Sequence, residues 1–123
     1  MLKKLVLPIT ILYTIALASV SLIRLSNIPD VGVSYADKIF HFSAYFLLTI
    51  LWFNTFFKTF KCFKNKSLIL SITVSVVFGI IIEVLQDVAT NSRSLDVYDI
   101  LANTLGALLA ATLLKLKKNR LKN

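Results

Sequence analysis

One histidine and six carboxylates stand out in a chain of 123 residues. The histidine lies in Asp37-Lys38-x-x-His41-x-x-x-Tyr45. A spacing of four keeps Asp37, His41 and Tyr45 on one helical face, and at about 100° per residue Trp52 joins the stripe. The carboxylates recur in Glu83-x-x-Gln86-Asp87 and in Arg93-x-x-Asp96-x-x-Asp99-x-x-x-Asn103-x-x-Gly106. An imidazole gathered with carboxylates suits general acid–base chemistry. It also suits a hard or borderline cation, a polar ligand, or a buried hydrogen-bonded network that fixes helix register. The sequence has no HExxH pair and no Cys/His cluster, so neither a metal nor a cofactor is expected.

The elements that position these groups follow from where charge is absent. The chain is 57% hydrophobic and 16% charged, against roughly 45–50% and 25% in soluble domains. That excludes a disordered chain and argues against a soluble one. Residues 5–23 and 39–57 contain no charge, and residues 67–82 and 100–114 nearly match them in length. About 20 apolar residues cross a bilayer core as a helix. The third run reaches that length only by taking in Glu83 to Gln86, and the fourth only by starting near Asp96. The expectation is an all-α bundle of four transmembrane helices over about 5–23, 39–57, 67–86 and 97–114. The strict alternation of a lipid-facing β-barrel is missing. The first span is longer than the apolar region of a signal peptide, about 7–15 residues, and is read as retained.

Ionisable groups at membrane depth are costly and mark function by default. Asp37 starts a helix, where the macrodipole favours a carboxylate, but Glu83 ends one, where the dipole opposes it. Glu83 therefore needs a partner, and Lys38, His41 and Arg93 are the candidates. On the fourth helix, Asp96, Asn103, Gly106 and Ala110 all fall within about 60° of Asp99. The lower half of that stripe, Ala102-x-x-x-Gly106-x-x-x-Ala110, is a small-residue ridge for close helix approach. Three helices thus bring polar groups to one layer.

Basic residues set the topology. Lys3, Lys4, Lys58, Lys61, Lys64, Lys66, Lys115, Lys117, Lys118, Arg120 and Lys122 fall on one side, and Arg24, Lys38 and Arg93 on the other. The positive-inside rule puts both termini in the cytoplasm of a multi-pass cell-membrane protein. The formal net charge of +8 is then a topology signal, and nucleic acid is not an expected partner. Cys62, the single cysteine, lies in the cytoplasmic loop with nothing near it that suggests a nucleophile. The 24–38 loop, with Pro29 and Gly32, is expected to be irregular.

At these residues the chain resembles the VanZ-like family of small membrane proteins. The resemblance rests on DKIFHFSAY (37–45), EVLQ (83–86) and RSLDVYDILANTLGA (93–107), in that order, and spans roughly residues 35–112. The matching positions are Asp37, Lys38, His41, Tyr45, Glu83, Gln86, Arg93, Asp99, Asn103 and Gly106. Family members often carry Gly or Pro just before the arginine, where this chain has Asn91-Ser92. The resemblance implies a single VanZ-like membrane domain over residues 1–123. It also implies a link to antibiotic resistance, since the family is named for a member associated with low-level resistance to the glycopeptide teicoplanin. It implies a location and a phenotype class rather than a reaction.

Two functions follow as expectations. One is a non-enzymatic bacterial cell-envelope protein that binds a lipid-linked cell-wall precursor, a headgroup or the glycopeptide's lipid tail at the outer leaflet. Lys38 and Arg93 would then face anionic groups, and Tyr45 and Trp52 would line an apolar cleft. The other is a membrane enzyme on a lipid or wall substrate, using His41 with Glu83, Asp96 or Asp99. A transmembrane proton pathway is the weakest reading, because only Asn54 interrupts the inner half of the second helix. A homo-oligomer is compatible with so small a bundle, although no motif requires one.

Overall fold

The computed structural model describes residues 2–27, 34–89 and 97–117, with side chains described except at 2–3, 22–27, 34–37, 86–87 and 89. Among these residues the chain forms α1 (Leu2–Asn27), α2 (Ser34–Asn54), α3 (Lys64–Ala89) and α4 (Val97–Leu116), with no strand. Each contains a segment long and apolar enough to cross a membrane: Lys4–Ser21, Lys38–Thr59, Lys64–Leu85 and Val97–Leu116. The second of these runs past α2 into a π-helical turn, Thr55–Thr59. The helices thus follow the uncharged runs and extend beyond them through Lys, Asn and Asp at their ends.

The π turn closes the cytoplasm-expected end of α2. The Phe60 N–H donates to the Thr55 carbonyl over 3.0 Å, and the Cys62 N–H reaches back to Phe56 O over 2.9 Å. Between them Lys61 takes a left-handed backbone, φ 57°, the conformation that ends many helices and usually selects glycine. Four residues, 60–63, therefore suffice to turn the chain into α3.

Exposure is distributed inside out. Leu12, Ile69 and Leu105 are 66%, 64% and 57% exposed, while Asp99 and Glu83 are 0% and 1% exposed. Burying apolar side chains gains little where the surroundings are lipid, so packing, close approach and buried hydrogen bonds hold the helices together. The α2–α4 interface is the most extensive, followed by α3–α4 and α2–α3, and α1 packs on α2 and α3 without touching α4 among the described residues. A side chain at Gly106 would collide with the Phe42 carbonyl oxygen, and would sit 3.1 Å from Phe42 C and 3.2 Å from Phe46 N. Only glycine lets the α2 and α4 backbones meet there. Ala107, Ala110 and Ala111 continue the contact toward the far end, where Ala111 packs with Phe53 and Leu68. Along the small-residue stripe of α4, Gly106 and Ala110 are buried and Ala102 is half-buried.

The remaining glue is hydroxyl chemistry. Thr55 Oγ1 donates to Thr10 Oγ1 (2.9 Å), and Thr10 Oγ1 donates to the Leu51 carbonyl (3.2 Å). Trp52 Nε1 donates to Thr14 (3.1 Å), and the Tyr13 hydroxyl donates to Ala44 O (2.7 Å). These bonds dock α1 on α2. Thr49 donates to Ser75 across α2–α3 over 2.7 Å. At the end of α4, Lys64 Nζ donates to the Lys115 carbonyl over 3.3 Å, a cation where the dipole favours one.

Candidate functional site

The first turns of α2 and α4 and the last turns of α3 lie in one layer. Contacts fix this register: Lys38 meets Asp99, His41 meets Asn103, and Phe42 and Phe46 flank Gly106. So α2 and α4 run parallel. The Thr49–Ser75 bond and the packing of Tyr45 over Gly79 set α3 antiparallel to α2.

Lys38 Nζ donates to Asp99 Oδ1 over 2.7 Å, with the lysine side chain 25% exposed and the aspartate fully buried. The other aspartate oxygen, Oδ2, lies 3.5 Å from His41 Nε2. On its other edge, His41 Nδ1 lies 3.0 Å from Asn103 Oδ1. That oxygen can only accept, so the proton on this edge sits on Nδ1. The His41 ring stacks on Tyr45 with centroids 6.3 Å apart and planes at 21°. Glu83 enters from α3, and one ligand atom each from His41, Glu83 and Asp99 lies within 4.8 Å of the others.

Gly79 completes the layer. A side chain there would meet Asn103 Nδ2 at 2.8 Å and Tyr45 Cε2 at 3.2 Å. Its absence lets α3 press against the asparagine that holds the histidine. The Tyr45 hydroxyl is buried and has no hydrogen-bond partner among the described residues. In an apolar setting such a group costs about 1–3 kcal/mol.

Of the residues expected from sequence, Lys38, His41, Tyr45, Glu83, Asp99 and Asn103 come together. Asp37 and Gln86 lie on α2 and α3, but their side chains are outside the described ones. Arg93 and Asp96 lie outside the described residues. Two expectations change in detail. Lys38 engages Asp99 of its own chain, so an anionic ligand would have to share it. Tyr45 is wholly buried and Trp52 is half-buried against α1, so these rings pack the bundle interior rather than line an open cleft.

Sequence reasoning missed Gly79 and the buried line of Ser67, Ser71 and Ser75, which leads to it at four-residue spacing. The signal was available: small residues every fourth position in an apolar helix mark a packing face, and a helix-interior glycine costs about 1 kcal/mol unless something needs the space.

The VanZ/LLP1 family model matches residues 5–118. Neither curated proteins nor solved structures give a significant match to the chain. With four helices long and apolar enough to cross a membrane and a family match over nearly the whole length, the chain belongs to the VanZ-like family.

Proposed function

We propose that this VanZ-like protein sits in the cell membrane with both termini cytoplasmic. There it binds a lipid-linked precursor or a lipid headgroup at the outer end of the bundle, in bacterial envelope or glycopeptide-antibiotic tolerance. The observation that carries this reading is the polar layer. Lys38, His41, Glu83, Asp99 and Asn103 come from three helices and sit at one end of a bundle whose exterior is apolar. Membrane-buried ionisable groups are retained at a cost, which points to a ligand that uses them. The other end carries Lys58, Lys61, Lys64, Lys66, Lys115 and Lys117, and the positive-inside rule assigns that end to the cytoplasm. A strain whose teicoplanin tolerance depends on this protein tests the reading. Lys38→Ala and Arg93→Ala are expected to lower tolerance per amount of folded protein in the membrane. Full tolerance in both variants overturns the proposal.

One observation favours a second reading, a membrane enzyme acting on a lipid or wall substrate. His41 lies beside two buried carboxylates of other helices, as a general base with an orienting partner would. Product formation from membrane lipid by the purified chain, lost in His41→Gln, separates this from binding alone.

A further inference from the structure

We infer that His41, Glu83 and Asp99 form a binding site for a divalent transition-metal cation of the zinc class. The inference needs only these three side chains and stands apart from the lipid reading.

Asn103 Oδ1 accepts from His41 Nδ1, and Nε2 of the same ring faces Asp99 Oδ2 at 3.5 Å. In its neutral form the imidazole would offer Nε2 as a ligand atom on that side. Zinc bonds nitrogen and carboxylate oxygen at about 2.0–2.2 Å, so two ligands at a tetrahedral angle lie about 3.3–3.6 Å apart. The observed separation of 3.5 Å is such an edge. Glu83 closes the set, since all three ligand atoms lie within 4.8 Å of one another and all three residues are buried.

The surrounding groups are arranged as outer partners of a metal site. A metal-bound histidine usually donates its other N–H to a fixed acceptor, and a ligating carboxylate is itself hydrogen-bonded. Here Asn103 takes the Nδ1 proton, and Lys38 takes Asp99 Oδ1, which leaves Oδ2 on the histidine side. The ammonium and the cation therefore use different oxygens. Gly79 packs Asn103 in place. The two carboxylates are hard donors and the imidazole is a borderline one, and the imidazole favours a transition metal over magnesium or calcium. Three protein ligands leave a coordination position for water or a substrate oxygen, as in catalytic rather than structural zinc sites.

The test uses the full chain in detergent, with any polyhistidine tag removed, and cobalt(II) as the probe. Titration is expected to give a saturable visible absorption band at about one equivalent, displaced by zinc. His41→Gln, Glu83→Gln and Asp99→Asn are each expected to weaken cobalt binding at least about tenfold, and Asn103→Ala by about 10–100-fold. Cys62→Ser leaves the band unchanged. His41→Cys retains binding and adds a thiolate-to-cobalt charge-transfer band, which a merely misfolded variant would not show. The absence of a saturable band in the unaltered chain overturns the inference without any variant. So does a band lost in Cys62→Ser, a band that survives all three ligand substitutions, or no charge-transfer band in His41→Cys.

Discussion

Lys38 and Asp99, 61 positions apart, meet through a 2.7 Å ion pair that locks the first turns of two parallel helices. The aspartate is fully buried, whereas the lysine keeps a quarter of its side chain exposed. The two ends of the pair are therefore not equivalent. Removing the lysine takes one partner from a buried carboxylate, while removing the carboxylate leaves an ammonium that reaches water or headgroups. Lys38→Met is expected to cost on the order of 3 kcal/mol, and Asp99→Asn less. Unfolding measured by steric trapping in bicelles checks the order. Equal losses would show that Asp99 does not depend on this cation.

At Gly106 the backbones of α2 and α4 come close together. A methyl there meets the Phe42 carbonyl, which cannot swing aside as a side chain can. Gly106→Ala is expected to cost about 1–3 kcal/mol by overpacking. At Gly79 the obstacle is the Asn103 amide and the Tyr45 ring, so Gly79→Ala costs less stability but displaces the partner of His41. Thermal melting separates the two variants, with the larger drop expected for Gly106→Ala.

Hydroxyl pairs hold α1. Thr10 and Thr55 are both fully buried and bonded to each other over 2.9 Å. Interhelical hydrogen bonds in membranes are worth about 0.6 kcal/mol on average and up to about 1.7. A double-mutant cycle with Thr10→Val and Thr55→Val is expected to give a coupling energy in that range. A coupling of zero would show that this pair adds nothing to the docking of α1.

Cys62 reports topology without mutagenesis. It is the chain's single cysteine, half-buried in the turn between α2 and α3. A membrane-impermeant maleimide added to intact cells is expected to leave it unlabelled, and permeabilised cells are expected to label it. Labelling in intact cells would invert the bundle and place the polar layer on the cytoplasmic side.

The spans were legible because charge is expensive in hydrocarbon, and uncharged runs therefore mark the crossing segments. Their ends were less so: α3 starts at Lys64 and continues to Ala89, and α1 continues to Asn27. Helices run on through polar residues where headgroups and water solvate them, so a charge scan finds only the hydrocarbon core. The π turn at Thr55–Thr59 and the left-handed Lys61 left no pattern in the residue types. Within the site, four-residue spacing placed His41 and Tyr45 on one face and Asp99 with Asn103 on another. Spacing gives a face but not the partner across it. So the Lys38–Asp99 pair, the Asn103 bond to His41 and the approach of Gly79 emerged only with the helices in register.

The central claim is that the polar layer does functional work rather than merely fixing helix register. His41→Gln tests it most directly, because glutamine keeps a polar side chain of similar reach but neither titrates nor replaces imidazole. The measurement is teicoplanin tolerance in a strain that depends on this protein, normalised to the amount of folded protein in the membrane. The account predicts tolerance lost at normal abundance. Tolerance retained at normal abundance would contradict it and leave the layer as a register lock.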